Sequence, residues 1–126
     1  MTGLPPLPIR LGAADRAALT RHFLALDPED RRLRFGAALP DEAIRTLEER
    51  IDFGRDEIFG IPGDDLRLLA VVHVAFYRDK AELGLSVLPE ARGRGLGSAL
   101  FARAVMHLVN PGEREEQGER FSRDRV

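Results

Sequence analysis

The first half of the chain carries apolar residues at helical spacing. After a helix start near Asp15, one buried face is predicted to consist of Leu19, Phe23 and Leu26. Asp27 and Pro28 supply a capping side chain and a proline at the first helical position, so they predict a second helix that ends near Phe35. A third helix is predicted over residues 40–53, where the apolar face consists of Ile44, Leu47 and Ile51.

The second half of the chain changes to patterns that are typical of strands. Residues 57–61 and the mostly aliphatic run 66–77 flank a turn-forming segment, which predicts a hairpin whose second strand is covered on both faces. Residues 81–87 alternate between apolar and more polar side chains, as in a strand with one more polar face. A short strand at residues 9–11 and a last helix after residue 95 complete the order. This order predicts an α/β (α+β) domain with a mixed, mainly antiparallel sheet flanked by helices on both faces.

Composition narrows the possible functions. A chain of 126 residues has the length of one domain, and its formal net charge of -2 gives no bulk attraction to nucleic acid. The chain contains no cysteine, which excludes disulfides, thiolate metal sites and a cysteine nucleophile, and no other metal site is predicted. Residues 1–11 resemble neither a signal peptide nor a membrane span, so we expect a cytoplasmic protein that does not bind membranes.

The strongest chemical signal is a glycine-rich turn between the last predicted strand and the last helix. Residues 92–98 read Arg-Gly-Arg-Gly-Leu-Gly-Ser. Amides at the start of a helix lack internal acceptors and face the positive end of the helix dipole, and glycine lets a diphosphate approach the backbone. Arg92 and Arg94 could add charge-assisted hydrogen bonds. The turn therefore predicts a phosphate-binding site.

Three other interpretations of this turn are weaker. A P-loop requires Lys and then Ser or Thr after its last glycine, but Ser98 and Ala99 follow Gly97. A dinucleotide-binding motif requires a parallel strand, helix and strand, whereas the strands before this turn alternate like antiparallel ones. The glycines could also serve only to allow a tight connection between strand and helix.

Residues 87–100 resemble the acetyl-CoA signature of the GCN5-related N-acetyltransferase superfamily, whose core R/Q-x-x-G-x-G/A is matched by Arg92, Gly95 and Gly97. The order of elements over residues 9–109 is similar to that family too. The resemblance implies acetyl transfer from acetyl-CoA to a primary amine. It also implies that residues 85–87 pair with the pantetheine arm and that the turn holds the pyrophosphate. The implied cofactor-binding residues are Leu85, Val87, Arg92, Gly93, Arg94, Gly95, Leu96, Gly97 and Ser98.

An amine must lose a proton before it attacks a thioester, so the reaction needs a general base. Glu82 is the first candidate, because its placement on the strand that leads to the turn resembles that of the glutamate base in some family members. An ordinary solvated glutamate is the alternative for this position. His73 could relay a proton or could be a hydrogen-bonded sheet residue. His22 and His107 are predicted to lie at the surface or at its boundary.

Beyond the last helix the sequence departs from the family. We predict a domain over residues 1–109 and a charged tail over residues 110–126, whose composition does not suit the further strands and helix of family members. Three explanations stay open: a truncated or frameshifted product, a domain completed by another chain, or a reduced module that binds coenzyme A without catalysis. The fourth strand would be left unpaired, which favours association, so either a homodimer or poor solubility is predicted.

Overall fold

The computed structural model describes residues 7–109, which form a four-stranded sheet and four helices. The strands are Ile9–Arg10 (β1), Glu57–Pro62 (β2), Leu68–Phe76 (β3) and Ala81–Val87 (β4). The helices are Arg16–Leu24 (α1), Pro28–Phe35 (α2), Asp41–Glu49 (α3) and Leu96–Val109 (α4). The predicted tail, residues 110–126, lies outside the described residues.

The described strands are arranged in the order β1-β2-β3-β4, and each neighbouring pair is antiparallel. In the central strand β3, Val72 lies opposite Phe59 on one side and Leu85 on the other. This register puts Val72, Leu85 and Phe59 on one face of the sheet, since side chains opposite each other point the same way. The predicted α/β (α+β) class is confirmed, with a described sheet that is antiparallel throughout.

Helices cover both faces of the sheet. One face packs against α1 and α3, and its core includes Leu19, Phe23, Ile44, Ile58 and Val71. The other face packs against α4, and its core includes Phe59, Val72, Val74, Leu96 and Leu100. The continuous aliphatic run of β3 follows from this arrangement, because each face of a central strand contacts a helix layer.

A capping side chain and one arginine of α2 together fix both ends of this helix. Asp27 caps this helix, its side chain accepting a hydrogen bond of 2.8 Å from the amide of Asp30. The guanidinium of Arg31 donates to the carbonyls of Leu24, Leu26 and Leu39 at 2.8–2.9 Å. Arg31 thereby binds the connections on both sides of α2.

The structure corrects two predicted features of the helices. The third helix ends at Glu49 rather than near residue 53, and Leu47, predicted to be on its buried face, is 41% exposed. His22 and His107 were both predicted near the surface, but both are buried. His22 lies under the sheet, where Leu68 O and the Ser86 hydroxyl contact its two ring nitrogens at 2.9 and 2.7 Å. His107 packs edge-on against Phe59 and Phe76.

The alternation along β4 predicts the strand correctly but not which face is covered. Ser86, on the more polar face, is buried beneath α1, whereas Leu83 and Leu85 on the apolar face are 37% and 40% exposed. The residues that α4 buries belong to β2 and β3, whereas Ala81 and Val87 of β4 pack against the same cluster and stay partly exposed. The apolar face of β4 is consequently only partly covered by the described residues.

Candidate functional site

The glycine-rich turn adopts a backbone conformation that depends on glycine. A short 3₁₀ turn, Pro89–Ala91, follows β4, and the chain then passes through Gly93 and Gly95 with φ of +80° and +78°. Side chains are strained at such angles, which explains the glycine at both positions. No other atom lies within 4 Å of the place that a Cβ would occupy at either residue. The turn therefore presents its backbone to open space.

The amides of this turn are free to bind a ligand. Within residues 7–109, the N–H groups of residues 93–98 donate no hydrogen bond, and the first amide engaged in the helix is that of Ala99, which donates to Gly95 O at 3.1 Å. Six consecutive unsatisfied donors at the positive end of a 14-residue helix form a site that favours a negatively charged group.

A cavity of about 450 Å³ opens in front of these amides; we call it the turn cavity. It lies between α2, the end of β4 and the glycine-rich turn. Eight of the nine residues predicted to bind the cofactor line it: Leu85, Val87, Arg92, Gly93, Gly95, Leu96, Gly97 and Ser98. The ninth, Arg94, lies on the other side of the turn, where its guanidinium donates to Glu90 O at 3.0 Å.

Arg92 connects the turn to α2. Its guanidinium forms an ion pair with Asp30 and also contacts Val87 O at 3.4 Å. The second carboxylate oxygen of Asp30 is buried and has no hydrogen-bond partner among the described residues. Half of the Arg92 side chain remains exposed, so its cation faces the mouth of the turn cavity while Asp30 holds it in place.

A second cavity, of about 290 Å³, lies between the helices and the α1-facing side of β3 and β4; we call it the helix-side cavity. Its polar lining includes Glu82, His73 and Arg34, and its apolar lining includes Phe23 and Phe35. Arg34 also lines the turn cavity. The two cavities are thus neighbours, with the Arg34 side chain between them.

Glu82 lies at the helix-side cavity. Its carboxylate is 58% exposed and lies 3.3 Å from the ammonium group of Lys80. Such an exposed pair contributes little to stability and leaves the carboxylate accessible. The structure brings Glu82 to the same cavity as His73 but does not bring it into the turn cavity.

His73 belongs to a chain of hydrogen bonds, of which only the histidine itself was predicted from the sequence. Its Nε2 lies 2.8 Å from a carboxylate oxygen of the buried Asp56, and Arg34 contacts its Nδ1 at 3.4 Å. Burial by itself raises the pKa of Asp56, but the hydrogen bonds and charges of His73 and Arg55 outweigh burial and lower that pKa. A guanidinium only donates, so where Nδ1 of His73 accepts from Arg34, Nε2 donates to the Asp56 carboxylate.

Asp56 and Arg34 were not among the predicted site residues. Asp56 comes directly before β2, and Arg34 lies in the last turn of α2. The unusual histidine in the valine-rich strand was the only sequence signal for this chain of contacts, and nothing local identifies its partners. Among residues 7–109, no group of three or more His, Asp or Glu side chains could hold a metal ion, and no helix is long and apolar enough to cross a membrane.

Comparison with known proteins rests on structure alone. No family model matches the sequence, and no curated protein matches it either. Among solved structures, the GNAT domain of S. lividans PAT superposes with a TM-score of 0.60 at 18% identity, over 90% of this chain and 65% of that one. The chain has the GNAT fold. The fold predicted from the acetyl-CoA signature is therefore confirmed.

Two other GNAT structures agree. The Corynebacterium glutamicum structure described as histone acetyltransferase HPA2 and related acetyltransferase has a TM-score of 0.55 at 16% identity, over 82% of this chain and 72% of that one. A spermidine N-acetyltransferase chimera from Vibrio cholerae and hSSAT has a TM-score of 0.51 at 19% identity, over 82% of this chain and 63% of that one. The chain spans about two thirds of the length of these GNAT structures.

Proposed function

We propose that this GNAT domain binds acetyl-CoA at the turn formed by residues 92–98 and transfers the acetyl group to a primary amine. The observation that carries the proposal is the row of unsatisfied amides, residues 93–98, at the mouth of the turn cavity. A diphosphate can accept several of these N–H groups at once and gains from the helix dipole. The half-exposed cation of Arg92 supports the same ligand.

The pantetheine arm is proposed to lie along the free edge of β4. Within residues 7–109, β4 forms ladder hydrogen bonds with β3 alone, so its outer backbone groups are available to an extended ligand. Leu85 and Val87 line the turn cavity at this edge. An arm that follows the edge from the turn would carry the thioester towards the helix-side cavity.

The reaction needs a base for the attacking amine, and Glu82 is the proposed one. The amine nitrogen would give a proton to the carboxylate, attack the thioester carbon and displace the thiolate of coenzyme A, which then takes up a proton. Glu82 lines the helix-side cavity and is accessible there. The spermidine acetyltransferase among the similar structures supports an amine as the acceptor class.

A second candidate function is a module that binds coenzyme A without turnover. The environment of Glu82 favours this alternative, because a carboxylate that is 58% exposed and paired with Lys80 has none of the burial that tunes a catalytic carboxylate. The two functions share the cofactor site and differ only in thiol release. Wild-type protein that binds acetyl-CoA but releases no thiol with a panel of amines would favour the module.

Calorimetric titration with coenzyme A tests the cofactor site. Gly95→Glu places a carboxylate and extra atoms where the diphosphate approaches, so we expect at least about a tenfold increase in Kd. Gly36→Glu is the matched control, since Gly36 also has positive φ, of +86°, and open space around it but lies at the end of α2. Equal affinity of the two variants for coenzyme A would contradict the proposed site.

Turnover of acetyl-CoA tests the role of Glu82. If its carboxylate accepts the proton, Glu82→Gln should lower kcat by about a hundredfold or more while the Kd for coenzyme A stays unchanged. Asp79→Asn removes a nearby exposed carboxylate from the β3–β4 turn and serves as the control. A Glu82→Gln variant with wild-type kcat would exclude this residue as the base.

A further inference from the structure

Arg34 carries a partly buried positive charge that has no acidic partner among the described residues. Among residues 7–109, no carboxylate forms an ion pair with its guanidinium, and its Nε is buried without a hydrogen-bond partner. The cation lies over the rings of Phe35 and Phe23, with Cζ 4.9 and 5.6 Å from the ring centroids. Its one side-chain hydrogen-bond partner within residues 7–109 is Nδ1 of His73, at 3.4 Å.

This arrangement leaves the charge of Arg34 uncompensated. Burial lowers the pKa of Arg34, but a guanidinium stays protonated in proteins. Aromatic faces and an imidazole nitrogen stabilise a cation less than a carboxylate does, and buried charges are ordinarily paired. The other charged groups at the helix-side cavity are already engaged: Glu48 with Arg16, and Glu82 with Lys80. A cation in this state favours an anionic ligand.

The helix-side cavity has one cation and one anion placed to bind the two opposite charges of a zwitterion. Gly84 lies against the guanidinium of Arg34, so closely that a Cβ at this residue would come within 2.2 Å of Arg34 Cζ. Glu82 is two residues away on the same face of β4, about 7 Å along the strand. A ligand with a carboxylate at Arg34 and an amine at Glu82 would span these two groups. The nearby rings of Phe23 and Phe35 suit an apolar side chain.

We propose that Arg34 binds the carboxylate of the acceptor, and that the acceptor is an α-amino acid whose amino group faces Glu82. This inference rests on the proposed acetyltransferase function and specifies its substrate class. A carboxylate could also belong to the acyl group, as in succinyl-CoA, and would then reach Arg34 from the turn cavity, which this residue also lines. The charge pair formed by Arg34 and Glu82 favours the acceptor.

Binding to the coenzyme A complex, measured by calorimetry, tests the proposal without requiring turnover. The probes are L-leucine, L-methionine and L-phenylalanine, each compared with its amide. Loss of a charged hydrogen-bond partner should weaken binding of the amide by about tenfold or more for at least one pair. If all three acids bind no better than their amides, the proposal is overturned, and this comparison needs no variant.

Variants then test whether Arg34 causes the preference for the amino acid over its amide. Arg34→Met should abolish the preference for the acid, and Arg34→Lys should retain part of it because the charge is kept. Gly84→Ala should reduce it as well, since the added methyl group displaces the flexible guanidinium rather than the strand. Arg32→Met, on the exposed side of the same helix, is the matched control. An undiminished preference in a folded Arg34→Met variant would overturn the assignment.

A second experiment distinguishes a carboxylate of the acceptor from a carboxylate of the acyl group. Succinyl-CoA is compared with butyryl-CoA, which has a methyl group in place of the carboxylate. Equal affinity for the two thioesters is expected if the acceptor supplies the anion, whereas a preference for succinyl-CoA that depends on Arg34 would overturn the assignment to the acceptor. A protein that binds no coenzyme A would contradict the proposed function itself, which is a different result from equal binding of acid and amide.

Discussion

His22 joins α1 to the sheet through both of its ring nitrogens. Because a carbonyl oxygen only accepts, Nδ1 donates to Leu68 O, and Nε2 accepts from the Ser86 hydroxyl. Burial lowers the pKa of His22 to about 4, so the folded protein holds the ring neutral. The sequence placed His22 on a helix but not in the interior, since its partner Ser86 is 64 residues away and local spacing carries no information about it.

The lowered pKa of His22 predicts a loss of stability in mild acid. Between pH 6.5 and 4 the unfolded chain binds a proton that the folded protein excludes, so the free energy of unfolding should fall as the pH falls, by up to about 3 kcal/mol in total. Urea unfolding at pH 7.5, 6.0 and 5.0 measures this slope. His22→Gln should be less stable at pH 7.5 but should show a flatter profile. Parallel profiles for the two proteins would contradict the assignment.

At the scale of elements, the helices and strands were predicted well where local chemistry defines their ends. Asp27 with Pro28 begins α2 as expected, and the glycine-rich turn begins α4. The end of α3 differs from the prediction, because carbonyls at and just after its end accept from a distant side chain. Arg16 of α1 donates to Glu48 O at 2.8 Å and to Ile51 O at 3.1 Å. The pattern of residues 40–53 cannot predict a contact with Arg16, which lies far outside this segment.

Arg16 is therefore expected to stabilise the contact between α1 and α3. It also forms an ion pair of 3.2 Å with the carboxylate of Glu48, which is only 4% exposed. Arg16→Met would leave this buried carboxylate and the Ile51 carbonyl without their donor, while Glu48 O keeps the Ile51 amide, at a cost of about 2 kcal/mol or more. Thermal unfolding measures the effect, with Arg21→Met on the exposed side of α1 as the control. A loss no larger than that of the control would show that water satisfies these groups.

For the molecule as a whole, the order of elements and the position of the glycine-rich turn followed from the sequence. The contacts between distant residues in the two cavities could not be predicted. The helix-side cavity is lined by residues of α1, α2, α3, β3 and β4, and only folding brings their charged side chains together. The described part of the chain also leaves the outer edge of β4 unpaired and its apolar face partly bare. Both features favour association with another chain.

Self-association through β4 remains a prediction, and light scattering over a range of protein concentrations can test it. We expect the mass to rise above the 14.0 kDa of one chain as concentration increases, and Leu83→Lys to suppress the rise because a charge on an edge strand opposes pairing. Leu66→Lys, in the exposed β2–β3 turn, is the control. A constant mass of one chain at every concentration would exclude association through this edge.

The central claim is that the main-chain amides of the turn bind the diphosphate of coenzyme A, and NMR of ¹⁵N-labelled protein observes those amides directly. On addition of coenzyme A, the signals of residues 93–98 should move downfield as their N–H groups gain charged acceptors, whereas pantetheine, which lacks the phosphates, should leave most of them in place. Coenzyme A binding that shifts other signals but leaves residues 93–98 unchanged would contradict the claim.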